Sequence, residues 1–121
     1  MGKKVLIVED NDKNMILERD LLEVEGFEVL EAKNATIGIE LVKKEKPDVI
    51  VMDVRLPDIN GIEAARIIRQ NKETCNIPVV FVTASVLDAD VAVLKAIPNS
   101  SYLSKPIDIH TFVQEIGKYL K

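Results

Sequence analysis

The chain has 121 residues, 47% of them hydrophobic and 30% charged, which suits one domain with a single core. Twenty acidic against sixteen basic side chains leave a net charge of −4, and this excludes a general affinity for nucleic acid built on phosphate contacts. A single cysteine, Cys75, excludes an intrachain disulfide, no apolar run approaches the ~20 residues of a membrane span, and no signal peptide is visible, so a small cytoplasmic domain is expected.

The first element is a strand, Val5-Leu6-Ile7-Val8, whose continuous apolar character predicts burial on both faces. A helix follows, with Leu17, Leu21 and Val24 at i, i+4 and i+7 as its apolar stripe and Gly26 as its stop. A weaker strand spans 27–31, and a second helix is capped by Asn34 and ends before Pro47. Val49-Ile50-Val51-Met52 is the next buried strand, and the third helix runs from Gly61 to Asn71. Val79-Val80-Phe81-Val82 is the fourth strand. Residues 86–97 are apolar at nine of twelve positions, too many for a helix with one buried face. A short strand at 101–103 precedes a helix capped by Asp108, with Ile109, Phe112, Val113, Ile116 and Leu120 as its stripe.

Strand and helix thus alternate five times, with short connections and no linker or repeat. The expectation is one α/β domain over residues 1–121, a doubly wound flavodoxin-like (βα)5 sandwich whose five parallel strands lie in the order 2-1-3-4-5. Ligands of such sheets sit at the carboxyl ends of the strands. There the first strand ends in Glu9-Asp10 and the third in Asp53, so three carboxylates converge and call for a hard cation such as Mg²⁺. The fourth strand ends in the hydroxyl of Thr83, and the fifth is followed by Lys105-Pro106. Asp10 alone reads equally well as a helix cap; the five residues together read as a site. The turn at 11–14 holds no glycine, and neither GxGxxG nor GxxxxGK[ST] occurs, which argues against a nucleotide cradle. His110, the sole histidine, falls in the last helix and reads as structural, and Cys75 reads as a bystander.

Val8-Glu9-Asp10, the run from Met52 to Asp58 with Gly61, Val82-Thr83-Ala84, and the run from Tyr102 to Pro106 together resemble the receiver domain of bacterial response regulators. The match covers essentially the whole chain, and Glu9 to Asn14 looks most like receivers of phosphorelays, hybrid kinases and small stand-alone regulators. The resemblance implies a phosphoacceptor role for Asp53, supplied by a phosphohistidine of a histidine kinase or phosphotransfer protein. It implies Mg²⁺ held by Glu9, Asp10, Asp53 and the backbone carbonyl of Arg55. It also implies that Thr83 bonds a phosphoryl oxygen, that Lys105 pairs with it after a cis bond to Pro106, and that Tyr102 is the switch aromatic. Arg55 and Ser85 flank the site at positions that tune phosphoryl lifetime in the family. The domain would be a signalling phosphoacceptor, not an enzyme acting on other substrates.

One departure is Pro98-Asn99-Ser100-Ser101 where the family has Gly-Ala-x-x, which predicts a different turn before Tyr102. A stand-alone receiver with no output domain is expected, with a receiver cut from a hybrid histidine kinase or longer regulator as the alternative. An aspartate-nucleophile phosphohydrolase is the remote reading, but Arg55 stands where its second aspartate would serve as acid. Output is expected through residues 86–103, to a protein partner or a second copy in a homodimer. Leu87, Val91 and Leu94 would face the sheet, leaving some of Val86, Ala89, Val93 and Ile97 outward.

Overall fold

The computed structural model describes residues 3–84 and 88–120, the side chains of 88–91 excepted. Five strands, β1 (Lys4–Val8), β2 (Glu28–Ala32), β3 (Val49–Asp53), β4 (Val79–Thr83) and β5 (Ser100–Ser104), alternate with five helices. The helices are α1 (Asp12–Val24), α2 (Ala35–Glu45), α3 (Gly61–Gln70), α4 (Asp88–Lys95) and α5 (Ile109–Lys118). All strands pair in parallel in the order β2-β1-β3-β4-β5, as expected. Among the described residues no helix is long and apolar enough to cross a membrane.

Successive strand side chains point to opposite faces, so each apolar run supplies two cores. Val5, Ile7, Val49, Val51, Val80 and Val82 pack with Met15, Leu22, Phe112 and Ile116 of α1 and α5. Leu6, Val8, Ile50, Met52, Val79 and Phe81 pack on the other side with α2, α3 and α4. The caps expected at Asn34 and Asp108 accept hydrogen bonds from Ile37 N and Thr111 N at 2.8 and 2.9 Å. Gly26, at φ 91°, takes the left-handed conformation that closes the first helix.

Three expectations about helix faces are corrected. The stripe Leu17, Leu21 and Val24 is not the buried face of α1: Val24 is 83% exposed and Leu17 is exposed, while Met15, Glu18 and Leu22 lie inward. The two stripes differ by less than half a turn, and only docking on the sheet selects between them. Ile109, in the first turn of α5, is 57% exposed, while Phe112 and Ile116 of the same stripe are fully buried. Ile97 is 7% exposed and joins the core with Leu94, so it cannot line an outer patch, whereas Val93 is 37% exposed. Ser85, Val86 and Leu87 lie outside the described residues, as do the side chains of Ala89 and Val91.

The unusual turn before β5 has a visible support. Asn99 adopts φ 54°, the conformation that a glycine would take without strain, and its side-chain amide donates to Asn76 O at 2.7 Å. Arg69 of α3 donates to Ile77 O at 2.6 Å, to Pro98 O at 3.0 and 3.2 Å, and to Asn99 O at 3.1 Å. One guanidinium therefore fastens α3, the approach to β4 and the turn into β5. Arg69→Met keeps the apolar stem but removes these donors. It is expected to cost about 2 kcal/mol, the order of one or two hydrogen bonds with a charged partner, read as a lower urea midpoint at unchanged m-value.

Candidate phosphoacceptor and cation site

Strand parity determines which side chains meet. Asp53 continues the face of Val49 and Val51, and Glu9 follows Val5 and Ile7, so both carboxylates fall on the α1 and α5 side of the sheet. Lys105 follows Leu103 on that same side. The structure brings the three together: Lys105 Nζ lies 3.2 Å from Glu9 Oε1 and 3.2 Å from Asp53 Oδ2. The Lys105–Pro106 bond is cis. Asp10 is exposed at the mouth of the site, while Glu9 and Asp53 are buried. Carboxylate oxygens of Glu9, Asp10 and Asp53 all lie within 4.8 Å of one another.

Backbone donors complete the arrangement. Arg55 N donates to Asp53 Oδ1 at 3.1 Å, and Asn11 N donates to Glu9 Oε2 at 3.1 Å. Burial, with the neighbouring Asp53 charge, pushes the Glu9 carboxyl up to about 6 against the Asn11 hydrogen bond and the Lys105 charge. Burial also works against the Lys105 ammonium, but the charges of Asp53 and Glu9 prevail and hold it above its ordinary value. The site therefore carries more negative charge than its lysine balances.

Thr83 is buried at the end of β4, and its carbonyl accepts from Lys105 N at 2.8 Å, closing the β4–β5 end of the site. By parity Thr83 follows Phe81 onto the opposite face, toward the core against which Tyr102 packs. The predicted acceptor, cation-holding and ammonium positions thus sit together, while Thr83 and Tyr102 lead toward the α4 side. His110 is exposed on α5 and bonds Gln114, outside the site. Cys75 lies in the connection from α3 to β4, with Sγ directed at Lys72 O.

Three further residues support the site; Asp58 and Gly61 stand in the motif quoted above without an assigned role. Gly61 opens α3 with its N–H on Val54 O at 2.8 Å, and a Cβ there would overlap the Asp53 carbonyl oxygen. Asp58, in the loop after Asp53, caps α2 from a distance: Ala35 N and Thr36 N donate to its carboxylate at 2.9 and 2.8 Å, and Thr36 Oγ1 at 2.6 Å. The Thr36 hydroxyl, then the Ala35 N–H, hold the Asp58 carboxyl well below the usual carboxylate range. Glu18, given no role from the sequence, is fully buried beside Glu9. Its spacing from Met15 and Leu22 was the available signal, masked by the leucines at 17 and 21.

The donor set suits a hard divalent cation, since it offers carboxylate oxygens, excess negative charge and an open side at Asp10. Glu9, Asp10 and Asp53 would hold it. A phosphoryl group arriving at Asp53 would meet the Lys105 ammonium already in place, and transfer of such a group depends chiefly on positioning and charge neutralisation.

The chain matches the family model described as response regulator receiver domain over residues 5–117. The polar-differentiation response regulator DivK of Brucella anthropi is 38% identical over 120 residues, covering 99% of this chain and 98% of that protein. The receiver domain of a sensor histidine kinase from Pseudomonas aeruginosa PAO1, with a magnesium ion coordinated in its active site cleft, superposes with a TM-score of 0.90 at 26% identity. That alignment covers 99% of this chain and 98% of that one. The chemotaxis response regulator CheY4 of Vibrio cholerae shares the fold with a TM-score of 0.91 at 24% identity, over 98% and 99% of the two chains.

Proposed function

The chain belongs to the response regulator receiver domain family of two-component signalling, and from that premise we propose that it takes a phosphoryl group onto Asp53 from a partner phosphohistidine. The observation that carries this reading is the meeting of Asp53 with Lys105, Glu9 and Asp10 at the carboxyl ends of three strands. Asp53 Oδ is the nucleophile. It attacks phosphorus, the bond from phosphorus to the donor nitrogen breaks, and that nitrogen keeps the electron pair. Arg55 N and Lys105 Nζ orient the attacking carboxylate, and Lys105 and Thr83 then bond the phosphoryl oxygens. Glu9, Asp10, Asp53 and the Arg55 carbonyl would hold Mg²⁺, which would supply charge neutralisation to the carboxylates and the phosphoryl oxygens. The donor is a histidine kinase or histidine phosphotransfer protein, and the setting is the cytoplasm. The domain acts as a switch and catalyses only its own phosphorylation and dephosphorylation.

Incubation with acetyl phosphate and Mg²⁺ should add one phosphoryl group, labile to base and hydroxylamine. Chelation by EDTA is expected to slow the labelling at least tenfold. Labelling unaffected by the chelator would remove the metal role of Glu9 and Asp10.

The output surface lies on the α4–β5 side, within residues 86–103. Val93 lines a shallow groove with Asn60, Ile62, Glu63 and Arg66 of α3 and its cap, on the side of the sheet to which Thr83 and Tyr102 lead. Val93→Asp is expected to weaken phosphorylation-dependent partner binding or self-association about tenfold, a difference of ~1.4 kcal/mol, with labelling of Asp53 unchanged. Sedimentation of phosphorylated wild type and variant checks the self-association arm, and equal behaviour in every binding assay would move the surface elsewhere.

A further inference from the structure

The loop from β3 to α3, residues 54–60, carries Arg55, whose N–H donates to Asp53 Oδ1 at 3.1 Å. Its base is closed where Val54 N donates to Val82 O at 3.1 Å and Gly61 N to Val54 O at 2.8 Å. Farther out, Leu56 and Ile59 pack on the core. Apolar packing is non-directional, so it sets the depth of the loop but not its orientation. Asp58 supplies direction, because its two oxygens bind two successive residues of α2. One accepts from Ala35 N at 2.9 Å, and the other from Thr36 N at 2.8 Å and Thr36 Oγ1 at 2.6 Å. α2 has little need of this partner for its own sake. Its local cap, Asn34, already accepts from Ile37 N at 2.8 Å, and Thr36 is exposed, so water can serve its N–H and hydroxyl. The loop, by contrast, gains a fixed orientation that none of its apolar contacts provides.

We infer that Asp58 is a positioning residue for Arg55: it straps the loop to the first turn of α2 and so holds the Arg55 backbone against Asp53. The inference rests on the phosphoacceptor and cation site proposed above, to which Arg55 would lend its N–H and its carbonyl. Groups that bind a metal are oriented by a second layer of hydrogen bonds, whose loss typically lowers metal affinity about 10–100-fold. Asp58 acts one step farther out, through the loop, so a smaller loss of about threefold or more is expected.

The test compares three variants. Asp58→Ala removes the strap, Asp58→Glu keeps both acceptor oxygens, and Asn34→Ala uncaps α2 locally while leaving the strap in place. Should Asp58→Ala not fold, Thr36→Val takes its place, since it removes the shortest of the three bonds and leaves the loop sequence intact. Asp58→Ala and Asn34→Ala should both unfold at lower urea, as each costs α2 a cap. Only Asp58→Ala should bind Mg²⁺ about threefold or more weakly by titration calorimetry, with Asp58→Glu and Asn34→Ala each losing less than that. A smaller loss in Asp58→Ala, or a loss of that size in either of the others, would overturn the inference. A merely structural Asp58 would behave as Asn34 does, altering stability without the split in affinity. A second readout needs no cation: in metal-free protein the Arg55 amide resonance should move in Asp58→Ala and stay near its wild-type position in Asn34→Ala. Equal shifts in the two, or none in Asp58→Ala, would also overturn it. Wild-type protein that binds no Mg²⁺ would instead sink the proposed cation site, with the strap still decided by the amide resonance.

Discussion

Asp53→Asn should take up no phosphoryl group from acetyl phosphate with Mg²⁺, a loss of at least a hundredfold in labelling rate. An amide oxygen is a poor nucleophile, and the change also withdraws one of the three converging charges from the cation site. The variant should remain folded, because Lys105 keeps Glu9 as its partner at 3.2 Å and one source of repulsion is removed. Mass measurement of intact wild type and variant after equal incubation decides the matter. Undiminished labelling of the variant at another residue would end the phosphoacceptor reading of Asp53.

Gly61→Ala is the second large effect. Here the constraint is close approach: the added Cβ would meet the Asp53 carbonyl oxygen and carbon and the Met52 side chain. Backbone oxygen cannot swing aside as a side chain can, so either α3 or the end of β3 must shift. Overpacking of this kind costs about 3 kcal/mol or more, and the shift falls on the phosphoacceptor itself. Stability in urea and labelling rate should therefore drop together. Gly117→Ala is the control, since its Cβ would meet nothing within 4 Å. It is expected to be neutral or to add about 0.5–1 kcal/mol through helix propensity. A Gly61→Ala protein as stable as wild type would show that β3 and α3 have slack at this contact.

Periodicity in the sequence determined the fold class. Strands covered on both faces read as unbroken apolar runs, and 5–8, 49–52 and 79–82 are such runs, so a parallel sheet between helices followed. The candidate site was legible for a related reason. Glu9, Asp10, Asp53 and Thr83 each stand where an apolar run stops and Lys105 follows the fifth strand, and in this architecture those strand ends lie along one edge of the sheet. Caps such as Asn34 and Asp108 were legible because their partners lie three residues away in the chain.

What tertiary structure alone decided concerns the rotation of helices and contacts between distant segments. α1 offers two apolar stripes less than half a turn apart, and docking on β1 and β2 chose the one that buries Glu18 and exposes Val24. Ile97, apolar in an apolar segment, could face either way until the turn into β5 fastened on Arg69 from thirty residues upstream. Asp58 reaching the first turn of α2, and Gly61 lying against Asp53, have no local signature, because each partner is brought near by chain closure rather than by spacing. Local periodicity reports how much of a segment is buried. Which side is buried, and against what, is a property of the assembled sheet and helices, since that choice is made by contacts between residues far apart in the chain.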